Sequence, residues 1–269
     1  MIIDFHTHVF PDAIAQHALP QLETAAGVKA PLDATLGQLL DSMDRAGIDV
    51  AVVQHIATKP GQEKTINKWA AAIQNERLVS FGTIHPDSPD WREEIERLKD
   101  LGLPGVKFHP DYQGFYVDEG RMLPIYEVLC QANLAVLFHA GIDIGLPDPC
   151  HCTPDRLRRI IDRYPRGRWI AAHMGGYQHW QAVEEFLVGQ PIYFDTSYSH
   201  AALGKERMRR LILAHGTDKI LFGSDSPWVD QLQAVKDINQ IGLDSAVVDG
   251  ILAGNARKLL QLTRFSPVP

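Results

Sequence analysis

Eight short runs of apolar and β-branched residues alternate with amphipathic helical stretches along this chain of 269 residues. The runs are read at 2–5, 50–55, 78–84, 105–109, 135–139, 168–173, 192–195 and 219–223. Such alternation is the signature of βα units feeding a parallel sheet. Eight units can close a sheet into a barrel, whereas an open doubly wound sheet usually has fewer strands and a glycine-rich phosphate loop after its first. Here the first run ends in His6-Thr7-His8 instead, and the length is close to the ~250 residues of a (β/α)8 barrel. The expectation is an α/β fold, a (β/α)8 TIM barrel that takes residues 1–269 as a single domain. No linker rich in Pro, Gly or Ser divides the chain.

Helices are expected at 36–46, 63–74, 91–101, 123–132, 154–163, 180–187, 206–215 and 232–241, with a helical tail over 245–262. Gly47 and Gly102 suit helix ends, and Pro154 suits a first turn. Three connections at the strand ends look long, 9–35, 111–122 and 141–153, and long loops in a compact domain commonly serve as lids or binding walls. A net charge of -7 without a basic stripe argues against a nucleic-acid partner. No apolar run approaches a membrane span and no signal-like segment precedes the first strand, so a cytosolic protein acting on a small molecule is expected. Cys130, Cys150 and Cys152 are an odd set that reads as reduced thiols. A homo-oligomer stays open.

Chemistry gathers where the runs end. His6, His8, His55, His85, His109, His139, His173, Asp195 and Asp225 lie at or just beyond the carboxyl ends of strands. In a barrel those ends share one face, the face where active sites of this architecture are built. His6 and His8 stand two apart on an extended segment and point the same way. His139 and His173 precede small residues that leave room for an ion or ligand against the backbone. Asp225 adds a carboxylate. Neutral imidazoles with one carboxylate and a position left for water make a catalytic divalent-metal site, zinc by default and manganese otherwise. A lone strand-end histidine is ordinarily a hydrogen-bonding residue, which is the reading for His55, His85, His200 and His215, while Asp195 reads as an orienter of a ligand. Tyr112, Phe115, Tyr116 and Trp228 fall on loops at the same face, as pocket wall or as core. Cys150-His151-Cys152 is too tight to surround an ion unaided and reads as loop.

The segment Asp4-Phe5-His6-Thr7-His8, the later His139 and His173, and Phe222-Gly223-Ser224-Asp225 resemble the amidohydrolase superfamily over nearly the whole chain. The branch it is most similar to contains aminocarboxymuconate semialdehyde decarboxylase and other nonoxidative decarboxylases alongside hydrolases, and Gly254-Asn255-Ala256-Arg257 resembles the segment near the end of that branch's chains. The resemblance implies a metal held by His6, His8, His139 and Asp225, with His173 beside the metal or its water. In two-metal branches a carboxylated lysine on the fourth strand bridges two cations, and Lys107 stands on that strand. His139 and His173 would then serve the second ion. Lys107 also suits a one-metal site in which it holds a substrate carboxylate, or a plain ion pair in the barrel. The one-metal reading is preferred, with Lys107, His109 and Trp228 as candidates for touching substrate. The expected reaction is hydrolysis of a small ester, lactone or amide. Asp225 takes a proton from metal-activated water and returns it to the leaving group, while His173 bonds the water or oxyanion. The alternative is nonoxidative decarboxylation of an unsaturated or aromatic carboxylic acid. A barrel whose metal is structural is disfavoured by the open position, since structural zinc sites are usually closed.

Overall fold

The eight apolar runs become eight parallel strands, hydrogen-bonded in sequence order within one sheet. In this computed structural model, which describes residues 1–261, they are β1 (Ile3–Thr7), β2 (Val50–Gln54), β3 (Leu78–Thr83), β4 (Gly105–Phe108), β5 (Ala135–Phe138), β6 (Arg168–Ala171), β7 (Tyr193–Asp195) and β8 (Ile220–Leu221). The barrel closes between β1 and the segment that follows β8. Phe5 N–H donates to Phe222 O (2.7 Å), Asp225 N–H donates to His6 O (2.8 Å), and Thr7 bridges Ser226 in parallel.

The sheet buries both faces. Phe5, Val50, Val52, Phe81, Leu137 and Ile170 pack into one cluster with Ala256 and Leu259 of the C-terminal helix. Val53, Val106, Phe108, Val136 and Phe194 pack outward against Leu39, Leu98 and Leu157 of the covering helices. Each such side chain stabilises the fold by about 1.5–3 kcal/mol when removed from water.

Strict alternation would send Phe5 and His6 to opposite faces. The register of β1 against β2 slips between Asp4 and Thr7, as a bulge does, and bulges re-aim side chains beside functional sites. Phe5 accordingly meets Phe81 in the interior while His6 reaches Lys107 on β4.

The helices are α1 (Asp12–Ala26), α2 (Leu36–Ala46), α3 (Glu63–Ile73), α4 (Trp91–Asp100), α5 (Pro110–Gln113), α6 (Leu123–Gln131), α7 (Pro154–Arg163), α8 (Trp180–Phe186), α9 (His200–Leu203), α10 (Lys205–His215), α11 (Gln231–Asn239), α12 (Ser245–Asp249) and α13 (Asn255–Leu260). Two expected loops differ. Residues 9–35 contain α1, whose apolar face is faint because only Ala15 and Leu19 are buried and Pro20 lies inside it. Residues 111–122 hold most of α5 and a 3-10 turn, Gly120–Met122. The expected continuous tail is broken by a π turn, Gly250–Gly254, and its last residue, Leu262, lies outside the described residues. Asn255 explains the break, since its amide donates to Thr217 O (2.8 Å) and Ile220 O (2.7 Å) and ties the tail to β8. Among the described residues no helix is long and apolar enough to cross a membrane.

Candidate metal centre

The strand ends deliver their histidines with the proton of each ring already placed. His6 donates from Nδ1 to Asp195 Oδ2 at the end of β7 (2.8 Å), and His8 donates from Nδ1 to the Gln54 carbonyl at the end of β2 (3.0 Å). Those acceptors assign the proton to Nδ1 and leave each Nε2 bare. The two Nε2 atoms stand 3.1 Å apart, and Asp225 Oδ1 lies 3.4 Å from both. Two lone pairs and a carboxylate oxygen repel one another unless a cation lies among them. The donor set therefore fits a divalent metal, and carboxylate or carbonyl partners on the far ring nitrogens are what metal-binding histidines ordinarily have. Lys107 Nζ donates to His6 Nε2 from 3.2 Å and is almost fully buried.

His139 falls outside this compact trio and groups instead with His109 and Asp143. His173 donates from Nδ1 to Ser197 O (3.1 Å), so its Nε2 accepts from His139 Nδ1 (3.1 Å). The consequence is a buried His139 Nε2 with no partner, a third bare nitrogen. His173 has both nitrogens engaged in these bonds, the one at Nε2 orients His139, and the residue also lines the cavity at the barrel mouth. His109 accepts from Tyr112 N–H at Nδ1 (3.3 Å), so Nε2 carries the proton and donates to Asp143 Oδ2 (2.9 Å). His109, His139 and Asp143 form a second group of donors close enough for a cation, in which the proton on His109 Nε2 would have to leave before that ring could ligate.

Burial sets the charges. Desolvation holds His6 down to about 4, with help from the Lys107 ammonium, so the ring is neutral at neutral pH. Burial also pushes Lys107 down to about 8, against the pull of Asp195 and Asp225. For Asp195 burial acts upward, yet His6 outweighs it and leaves the carboxyl at about 2. Asp225 follows the same balance, with His6, His8 and His173 holding it well below the usual carboxylate range. Neutral imidazole and charged carboxylate are the protonation states that ligation requires.

Asp4 is a buried carboxylate to which the motif alone gave no role. It accepts from Ser224 N–H (2.9 Å), Ser224 Oγ–H (2.5 Å), Gln231 Nε2–H (2.7 Å) and His6 N–H (3.2 Å), and thereby ties β1 to the segment carrying Asp225. Burial still pushes its carboxyl up to about 6. Gly223 is required where that segment crosses β1, because a Cβ there would lie 2.9 Å from the His6 Cβ. His173 and Asp225 both adopt left-handed backbone, φ 58 and φ 73. Each costs about 1–3 kcal/mol and persists only where the surroundings enforce it, as at functional sites.

Above the trio lies a cavity with His8, Lys107, His139 and Asp225 among its lining residues and Phe10, Leu22, Ile56, Tyr177, Tyr198 and Trp228 around them. Among the described residues no arginine lines it. Tyr112 also belongs to this wall, whereas Phe115 is core, its ring 5.7 Å from that of Phe108. Tyr116 packs on His151 (4.4 Å) beneath Arg156 (4.4 Å), away from the lining. Cys130, Cys150 and Cys152 are free thiols, and Cys150 Sγ donates to Gly141 O (3.0 Å).

The sequence profile of the amidohydrolases matches residues 3–262, almost the full length. The chain belongs to the amidohydrolase family. No curated protein matches this amidohydrolase in sequence. Among solved structures it is similar to the 5-carboxyvanillate decarboxylase of Sphingomonas paucimobilis, with 17% identity over 97% of this chain and 99% of that one and a TM-score of 0.73. A dihydroxybenzoic acid decarboxylase of a Polaromonas species, solved with bound manganese and the inhibitor 2-nitroresorcinol, shares 19% identity over 98% of both chains at a TM-score of 0.73. An uncharacterised TIM-barrel protein of Bordetella bronchiseptica shares 18% identity over 97% of this chain and 98% of that one, at 0.76. These likenesses establish the shared barrel.

Proposed function

We propose that this amidohydrolase is a metal-dependent carboxy-lyase that removes CO2 nonoxidatively from an aromatic or unsaturated carboxylic acid in the cytosol. The observation that carries the reading is the convergence of two bare imidazole nitrogens, 3.1 Å apart, on Asp225, beside a buried lysine in an aromatic cavity. The decarboxylases among its structural neighbours favour this reaction over the hydrolysis that the sequence motifs put first. His6, His8 and Asp225 would hold one divalent cation, with the bare Nε2 of His139 as the fourth donor. When bound, the cation supplies a Lewis acid at a substrate oxygen. Zinc suits three imidazoles and a carboxylate; manganese is the alternative, as the Polaromonas enzyme was solved with it.

The Lys107 ammonium holds the substrate carboxylate at the cavity floor, where low dielectric strengthens the pairing and fixes its orientation. Trp228, Tyr177 and Tyr198 supply flat surface to the ring or alkene. As the C–C bond breaks, its electron pair stays on the substrate carbon and CO2 departs uncharged, which apolar walls favour over a carboxylate. Asp225, ionised at rest, takes a proton from solvent and delivers it to this carbon, which leaves the carboxylate as it began. His173 keeps the His139 ring in place through the Nε2 contact.

The test is a panel of hydroxybenzoates and unsaturated acids assayed for CO2 with metal-loaded protein, beside lactones and esters followed by proton release. CO2 from at least one acid, falling about a thousandfold in His6→Ala, is the expected result. Turnover of a lactone or ester without CO2 from any acid would replace the reading with hydrolysis. Elemental analysis should find about one metal per chain, retained in Lys107→Ala; two equivalents that fall in that variant would make the lysine a bridge.

A further inference from the structure

Residues 141–153, between β5 and α7, contribute part of the cavity wall with almost no regular structure. The base of this loop is anchored through the backbone. Gly141 N–H donates to Cys152 O (3.0 Å), Ile142 N–H to Tyr177 O (3.1 Å) and Val117 N–H to His151 O (3.1 Å), while His151 N–H donates to Asp111 Oδ1 (2.9 Å). The tip, residues 143–149, lacks such ties. Two of its hydrogen bonds are internal, Gly145 N–H to Asp143 Oδ1 (2.8 Å) and Leu146 N–H to Asp143 O (3.1 Å). Among the described residues one hydrogen bond joins the tip to the rest of the barrel: His109 Nε2–H donates to Asp143 Oδ2 at 2.9 Å.

Asp143 therefore spans two elements with its two oxygens. One grips the end of β4 through His109 and the other grips the tip through Gly145. From there Ile144 and Gly145 line the cavity, and a Cβ on Gly145 would lie 3.5 Å from the Ala26 nitrogen, so the tip closes against the end of α1. A hydrogen bond to a charged carboxylate is roughly twice as strong as a neutral one. That is enough to decide the position of a segment with no other polar tie.

We infer that Asp143 is a positioning residue: by bridging His109 and the Gly145 amide it holds the 143–149 tip against α1 and sets the outer wall that a bound acid must fit. The inference rests on the reading of this cavity as the substrate site. Asp143→Asn probes it with little change of shape. The asparagine keeps one oxygen for Gly145 but turns an NH2 group toward the His109 Nε2–H. His109 cannot answer by moving its proton, since Nδ1 accepts from the Tyr112 amide.

Two measurements on metal-loaded protein decide the matter. Hydrogen exchange at the amides of 143–149 should accelerate by about tenfold in Asp143→Asn while the strands keep their protection. With salicylate as the probe, Kd should rise about tenfold, and for any acid turned over KM should rise by a similar factor while kcat moves by less than about twofold. Unchanged exchange at the tip overturns the inference. So does a loss of kcat at constant KM, which would put the His109–Asp143 pair in the chemistry. Wild-type protein that neither binds salicylate nor releases CO2 would sink the proposed function, and the exchange result would still decide the role of Asp143.

Discussion

At the scale of single residues, the site depends on acceptors that touch no substrate. The Asp195 carboxylate and the Gln54 carbonyl hold protons on the far sides of His6 and His8, and so present bare nitrogens to one another. Asp195→Asn removes the charge that keeps the His6 proton on Nδ1. Metal affinity should fall about 10–100-fold, the usual cost of losing such a partner, as read by competition with a chromogenic chelator. An affinity within about twofold of wild type would mean that Ser197, whose Oγ also meets His6 Nδ1 at 3.0 Å, sets the tautomer instead. Asp225→Asn keeps the shape of the trio but removes its anion; kcat should fall by about a thousandfold with the melting temperature nearly unchanged. Retained turnover in that folded variant would end the proton-transfer role. The trio was legible in sequence because strand ends and residue parity place it. The engagement of His173 was not, since it turns on a carbonyl 24 residues away, and Asp143 sat in a loop without pattern.

At the scale of elements, the strands were readable to within a few residues because apolar runs of strand length occur in register with amphipathic helices. What escaped were the elements whose sequence has a weak face. α1 hides behind Pro20 and a largely exposed surface, and the π turn after α12 depends on one asparagine reaching back to β8. The β1 bulge escaped for a different reason. Alternation within a strand is local, whereas the slip is defined only against β2. The seam between β1 and the segment after β8 is also close-packed. Gly223→Ala would place a methyl 2.9 Å from the His6 Cβ. Overpacking of this kind costs about 1–3 kcal/mol, so the urea midpoint should drop and metal binding weaken with it. An unchanged midpoint would mean that the seam yields at no cost.

At the scale of the whole molecule, burying neutral histidines makes stability depend on acidity. Burial, first among the causes, holds His6 and His215 down to about 4 and His55 to about 3, from 6.5 in each case. The unfolded chain therefore binds protons near pH 6.5 that the folded chain refuses, and stability falls as pH drops below that value. Each such histidine contributes a slope of about 1.4 kcal/mol per pH unit between its unfolded and folded values. Asp195 extends the loss toward pH 2, because its carboxylate must be protonated against His6. Asp4 works the other way: raised to about 6, it takes up a proton in the folded state first and offsets one histidine between about pH 6 and 4. The metal-free protein should then show urea midpoints that fall steadily from pH 7 to 5. Added divalent cation should raise the midpoint at pH 7 and lose that advantage only as pH falls toward 4, where His6 takes up its proton, since ligation requires a deprotonated ring. A flat profile without metal would mean that the buried rings accept protons in place, and the bare nitrogens on which the metal site depends would then be filled.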